Sequence, residues 1–156
     1  MTILSLLIAF GLRCLLVILF LPFSAADKIF NFSGAVGQAS EIAPSRAVAR
    51  GLILVGLFVE IVMSLGVITG IADRLAAFIL AGYCMTTAVL WKQFWKPGDF
   101  WSGGQGRSLF WDFLKNVSLG AGFLLVTFGT GATAVQDFLA HPTASSHPYR
   151  LEAPAR

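Results

Sequence analysis

Charge is scarce in this chain. Of its 156 residues, 12% are Asp, Glu, Lys or Arg, against about 25% in an ordinary soluble domain. With 56% hydrophobic residues and a mean hydropathy of +0.78, that shortage argues against a water-soluble fold and for one small integral membrane domain. Cysteine is nearly missing. Cys14 and Cys84 both lie in apolar runs, with no CxxC and no Cys/His cluster, so neither a disulfide framework nor a metal site is expected. The two histidines, His141 and His147, stand in a Pro/Ser/Thr-rich tail. A bis-histidine heme site needs them inside membrane helices, so heme is not expected. Basic clusters are also lacking. The formal charge of +3 is spread over 11 Lys and Arg, mostly at the ends of apolar runs. That pattern fits membrane orientation and gives no reason to expect a nucleic-acid partner.

What the chain has is long apolar runs. Gly51 to Ala72, GLILVGLFVEIVMSLGVITGIA, is long enough to cross a bilayer as a helix of roughly 20 residues. Its one charge, Glu60, stands near the middle. A carboxylate at that depth costs about 2.5–3.5 kcal/mol on insertion scales, so it needs a partner. Ile3 to Leu21 is another run, broken by Arg13. Ser24-Ala25-Ala26 resembles a signal-peptide cleavage site. However, no positive charge precedes Ile3, and Arg13 falls inside the apolar core. The run is therefore read as a first membrane helix ending near Pro22.

The expected fold is an all-α transmembrane four-helix up-down bundle, with helices at about 3–22, 46–72, 75–95 and 109–131. A short interfacial helix or re-entrant segment follows helix 1, where Phe23, Ile29, Phe30 and Phe32 flank Asp27 and Lys28. Ser45 suits the N-cap of helix 2. Trp91, Lys92, Phe94, Trp95 and Lys96 form an aromatic and basic belt closing helix 3. The Gly-rich PGDFWSGGQGR does not match a phosphate-cradling spacing and reads as a flexible loop. Gly120 and Gly122 could let helix 4 approach a neighbour closely. Residues 136–156 read as a polar, extended tail. Charge counting places the two longer loops in the cytoplasm and both termini outside.

Counting depth along these helices brings four polar side chains toward one mid-bilayer layer. Arg13 and Glu60 stand near the middle of antiparallel helices. Asn116 lies about 12 Å into helix 4, and Tyr83 at a similar distance from Trp91. The expected centre is an Arg13–Glu60 pair, either fixing helix register or forming a pocket or proton relay. Lys28, Asp112 and Lys115 are expected as an interfacial salt-bridge network.

Several of these residues carry a resemblance. Arg13 in helix 1, the FLPFSAADKIF exit with Lys28, Glu60 followed by GVITG, the turn Arg74 and the Lys115-Asn116 pair occur in this order over residues 5 to 131. In this the chain resembles the DoxX family of small four-helix bacterial membrane proteins. The step before Lys28 departs from the family pattern at Asp27. The resemblance implies a multi-pass protein of the bacterial inner membrane. It also implies a relation to the small subunit of a thiosulfate:quinone oxidoreductase, or to anchors and accessory subunits of respiratory assemblies. It assigns no catalytic residue. The leading expectation is an accessory or anchoring subunit of a redox-linked membrane complex, not catalytic by itself. A quinone- or lipid-handling oxidoreductase component is the alternative, and a small-solute transporter comes last, since no inverted repeat or broken helix pair is seen. No intrinsic cofactor is expected. Bound quinone or lipid is the ligand class to test. The expected partners are membrane lipids, other complex subunits or further copies of the chain.

Overall fold

The computed structural model describes residues 3–131 and 133–150. Among them the fold is all-helical. Four helices are long and apolar enough to cross a membrane: α1 (Ile3–Phe30), α3 (Arg46–Thr69), α4 (Asp73–Trp91) and α5 (Gln105–Phe128). Two short helices complete it: α2 (Phe32–Ala39) after the first span and α6 (Ala134–Ala140) after the last.

α1 does not end at Pro22. It bends there and continues to Phe30. Leu21 leaves helical geometry (φ −125°, ψ 111°), because the proline ring crowds the residue before it out of the α region. The chain kinks within Leu19–Ser24, and the segment beyond the kink carries Lys28 inward. α2 is the expected short helix. It packs Val36 and Ala39 on Ala49 of α3.

α3 opens on the expected cap, with Ser45 Oγ accepting from the Val48 N–H at 3.3 Å. It stops at Gly70, whose φ of +78° is the left-handed geometry of a helix C-terminus. That is three residues earlier than the apolar run suggests, and it frees Asp73 to begin α4. Between Val59 and Met63 the helix is π-wound. Such wide turns are rare and often sit at functional positions.

α4 packs on both α3 and α5, and α1 lies against α3 and α5. Small residues let α5 come close: Ala77, Ala81, Cys84 and Ala88 are buried along one stripe of α4. A Cβ on Gly120 would stand 2.8 Å from Met85 Cε, and one on Gly122 3.3 Å from Leu16 Cδ1. Val17, Phe20, Val67, Leu80 and Phe123 fill the bundle's centre.

The loop before α5 is organised by Asp99. Its carboxylate accepts from the N–H groups of Gln105 and Gly106 at 2.8 and 2.7 Å, satisfying helix-terminal donors at the positive end of the helix.

The tail is not simply extended. Phe138 of α6 is buried between Phe78 and Phe128, with ring centroids 5.3 and 5.5 Å away. Arg74 lies 5.6 Å from the same ring centroid and donates from Nε to the Thr127 carbonyl at 2.8 Å. The segment after α6 then folds back over the turn between α3 and α4. The part of the expected tail from 151 to 156 lies outside the described residues.

Candidate functional site

The bundle interior holds two separate charged clusters instead of one layer. The first centres on Glu60, which is 1% exposed. One of its oxygens, Oε1, accepts three hydrogen bonds: from Lys28 Nζ at 2.7 Å, Tyr83 OH at 2.9 Å and Ser24 Oγ at 3.0 Å. Lys28 Nζ also bonds Ser24 Oγ at 2.6 Å. Three elements build this site. The bend at Leu21-Pro22 aims Ser24 and Lys28, four residues apart on one helix face, at α3. The wide turn in α3 presents Glu60. Gly56, one turn earlier, leaves room for Tyr83, whose hydroxyl would stand 3.1 Å from a Cβ there. Phe20 packs on the Tyr83 ring at 5.9 Å and on Phe123 at 5.8 Å, sealing the apolar side.

The second cluster lies toward the α3–α4 turn. Arg13 Nη1 pairs with Asp73 Oδ2 at 2.7 Å and donates to the Val67 carbonyl at 2.6 Å. Asp73 is fully buried. The tail completes the pair. Ser146 donates to Asp73 from its N–H at 2.9 Å and from Oγ at 2.5 Å, while Arg13 Nη2 donates to Ser146 Oγ at 2.8 Å. Tyr149 OH donates to the Ile68 carbonyl, and its ring meets Phe10 at 6.3 Å. Asp73 is the first residue of α4, where a carboxylate is favoured by the helix dipole.

The expected Arg13–Glu60 pair is therefore not formed. Such a pair requires straight helices starting from a common plane. In the structure α1 is longer than its neighbours and bent, so Arg13 meets the far end of the hairpin while Lys28 reaches Glu60. Tyr83 joins Glu60 as expected. Asn116 does not: its amide donates to the Asp112 carbonyl of its own helix at 3.2 Å. Lys28 also leaves the interfacial group assigned to it. Asp112 and Lys115 do interact, at 3.3 Å, and Lys92 joins them at the same distance from the other Asp112 oxygen. Sequence reading missed Asp73, Ser24, Ser146 and Tyr149. Asp73 had a signal, since it directly follows an apolar span that already contains one acid.

A family model for DoxX matches residues 4–93. The chain belongs to the DoxX family. Arg13, Ser24, Lys28, Glu60, Asp73 and Tyr83 all fall within the matched part, whereas the Ser146 and Tyr149 contacts of this DoxX protein lie beyond it. No curated protein sequence and no solved structure matches the chain. Among the described residues of this DoxX protein, no three His, Cys, Asp or Glu side chains come together as metal ligands. Chemically, the Glu60 cluster can hold or exchange a proton through hydrogen bonds to a phenol, an ammonium and a hydroxyl. The Arg13–Asp73 cluster ties the tail to the bundle.

Proposed function

We propose that this DoxX protein is an accessory or anchoring subunit of a larger, redox-linked assembly in the bacterial cytoplasmic membrane. One observation carries the reading. The N-terminal half of α1 is apolar and largely uncovered by the rest of the chain: Ile3 is 81% exposed and Leu4 65%, and Leu7, Ile8, Phe10 and Leu12 are also exposed. In a membrane such a surface faces lipid or another subunit's helix. The inward charges, by contrast, are matched within the chain. The redox link rests on the family resemblance. Gentle extraction from native membranes with lipids retained, followed by intact-complex mass measurement, tests it. A co-purifying redox subunit is expected. Migration as a lone 16.7 kDa species contradicts it.

A second reading has its own support. Glu60 Oε2 is buried and has no hydrogen-bond partner, so the cluster retains an acceptor that a quinone- or lipid-handling component could use. Glu60→Gln is expected to weaken quinone binding. Unchanged binding and turnover in a folded variant removes this reading.

A further inference from the structure

Two buried polar atoms in α3 lack partners, and the residues that carry them are four apart in the chain, about one helical turn. They are Glu60 Oε2 and Ser64 Oγ. Ser64 is fully buried and Glu60 nearly so. The remaining donors around Glu60 all converge on Oε1, leaving Oε2 with none.

Four other hydroxyls, in helices or at a helix end, are satisfied in a way that Ser64 is not. Ser40, Thr69, Thr87 and Thr127 each donate to the carbonyl four residues back, at 2.7, 2.8, 2.9 and 3.1 Å. This is how a hydroxyl is normally satisfied inside an apolar helix. Ser64 makes no such bond to Glu60. The wide turn Val59–Met63 ends on it, and its own N–H donates to the Ile61 carbonyl, only three residues back. Ser64 Oγ is left without a partner directly after this irregular turn.

A buried carboxylate oxygen and a buried hydroxyl left unpaired each carry an uncompensated desolvation cost. Two such atoms, on residues about one helical turn apart, share one remedy. A small hydroxylic molecule can donate one hydrogen to Oε2 and exchange a second hydrogen bond with Ser64. Buried waters bridge otherwise unsatisfied groups in this way.

We propose that Glu60 Oε2 and Ser64 Oγ form a binding site for one ordered water molecule in the membrane interior. The site makes Glu60 a two-sided acceptor, with Lys28, Tyr83 and Ser24 on one oxygen and an exchangeable water on the other. The proposal does not depend on the subunit role, and it competes with a quinone on Oε2.

The test uses the full chain in lipid nanodiscs. Infrared spectra are recorded in D₂O and in its ¹⁸O form, for wild type and for Ser64→Ala, alongside a high-resolution structure of the wild type. Expected is an isolated water O–D stretch that moves with ¹⁸O and is lost in Ser64→Ala, with density bonded to both atoms. Ser64→Ala is also expected to melt at a lower temperature. Three outcomes overturn the proposal: a direct Glu60–Ser64 bond, a larger ligand on Oε2, or no isolated water band in the wild type, whatever the stability of Ser64→Ala. If Ser64→Ala does not fold, the wild-type band and density decide alone.

Discussion

Arg13 and Asp73, sixty residues apart, form a 2.7 Å ion pair in which the aspartate is fully buried. The pair joins α1 to the first turn of α4, and Ser146 closes over it. Removing one member of a buried pair leaves an uncompensated charge. Asp73→Ala is therefore expected to destabilise the protein by about 3–5 kcal/mol. Ser146→Ala, which removes hydrogen bonds but no charge, should cost about 1 kcal/mol. Equilibrium unfolding in mixed micelles measures both, and comparable losses would contradict this ranking.

The tail contact carries its own pH signature. Burial, the leading effect, raises the Tyr149 phenol above its ordinary value of 10.0. The protonated phenol donates to the Ile68 carbonyl. Because the folded value exceeds the unfolded one, this contribution is fully present below about pH 10 and is lost as pH rises through the folded value. Hydrogen exchange of residues 141–150 is expected to accelerate over that alkaline range in wild type. Tyr149→Phe should exchange faster already at neutral pH, by about 0.5–1.5 kcal/mol of docking free energy, and should lack the phenol's alkaline step.

Phe138 fastens α6 to the bundle. It is 5% exposed, between Phe78, Phe128 and the Arg74 guanidinium. Phe138→Ala is expected to cost about 3–5 kcal/mol if all of that burial is lost. Limited proteolysis should then cut between residues 129 and 145 while the four spans stay intact. A protected tail in the variant would show that α6 docks by other contacts.

The spans were legible because a bilayer sets a length and a polarity that apolar runs display directly. Glu60 was legible for the same reason, as a lone acid in one of them. The pairing was not. It depends on where α1 bends and how far it projects beyond its neighbours, and hydropathy carries neither quantity. Leu21-Pro22 marks the bend, but a proline reads equally well as a terminus. A helix that stops at Pro22 leaves Lys28 at the surface, whereas the continued helix carries it to Glu60. In the tail, Val135, Phe138 and Leu139 have helical spacing, but seven residues among prolines and serines are a faint signal. Asn116 misled in the opposite direction: an amide at the right depth met its own backbone.

The central claim is that Glu60 belongs to Lys28, with Arg13 engaged elsewhere. Double-mutant cycles in lipid test it most directly, combining Glu60→Gln with Lys28→Met and, separately, with Arg13→Met. The first cycle should give a coupling of about 1–3 kcal/mol, and the second should be additive within about 0.5 kcal/mol. Strong coupling of Glu60 to Arg13, with none to Lys28, would contradict the account.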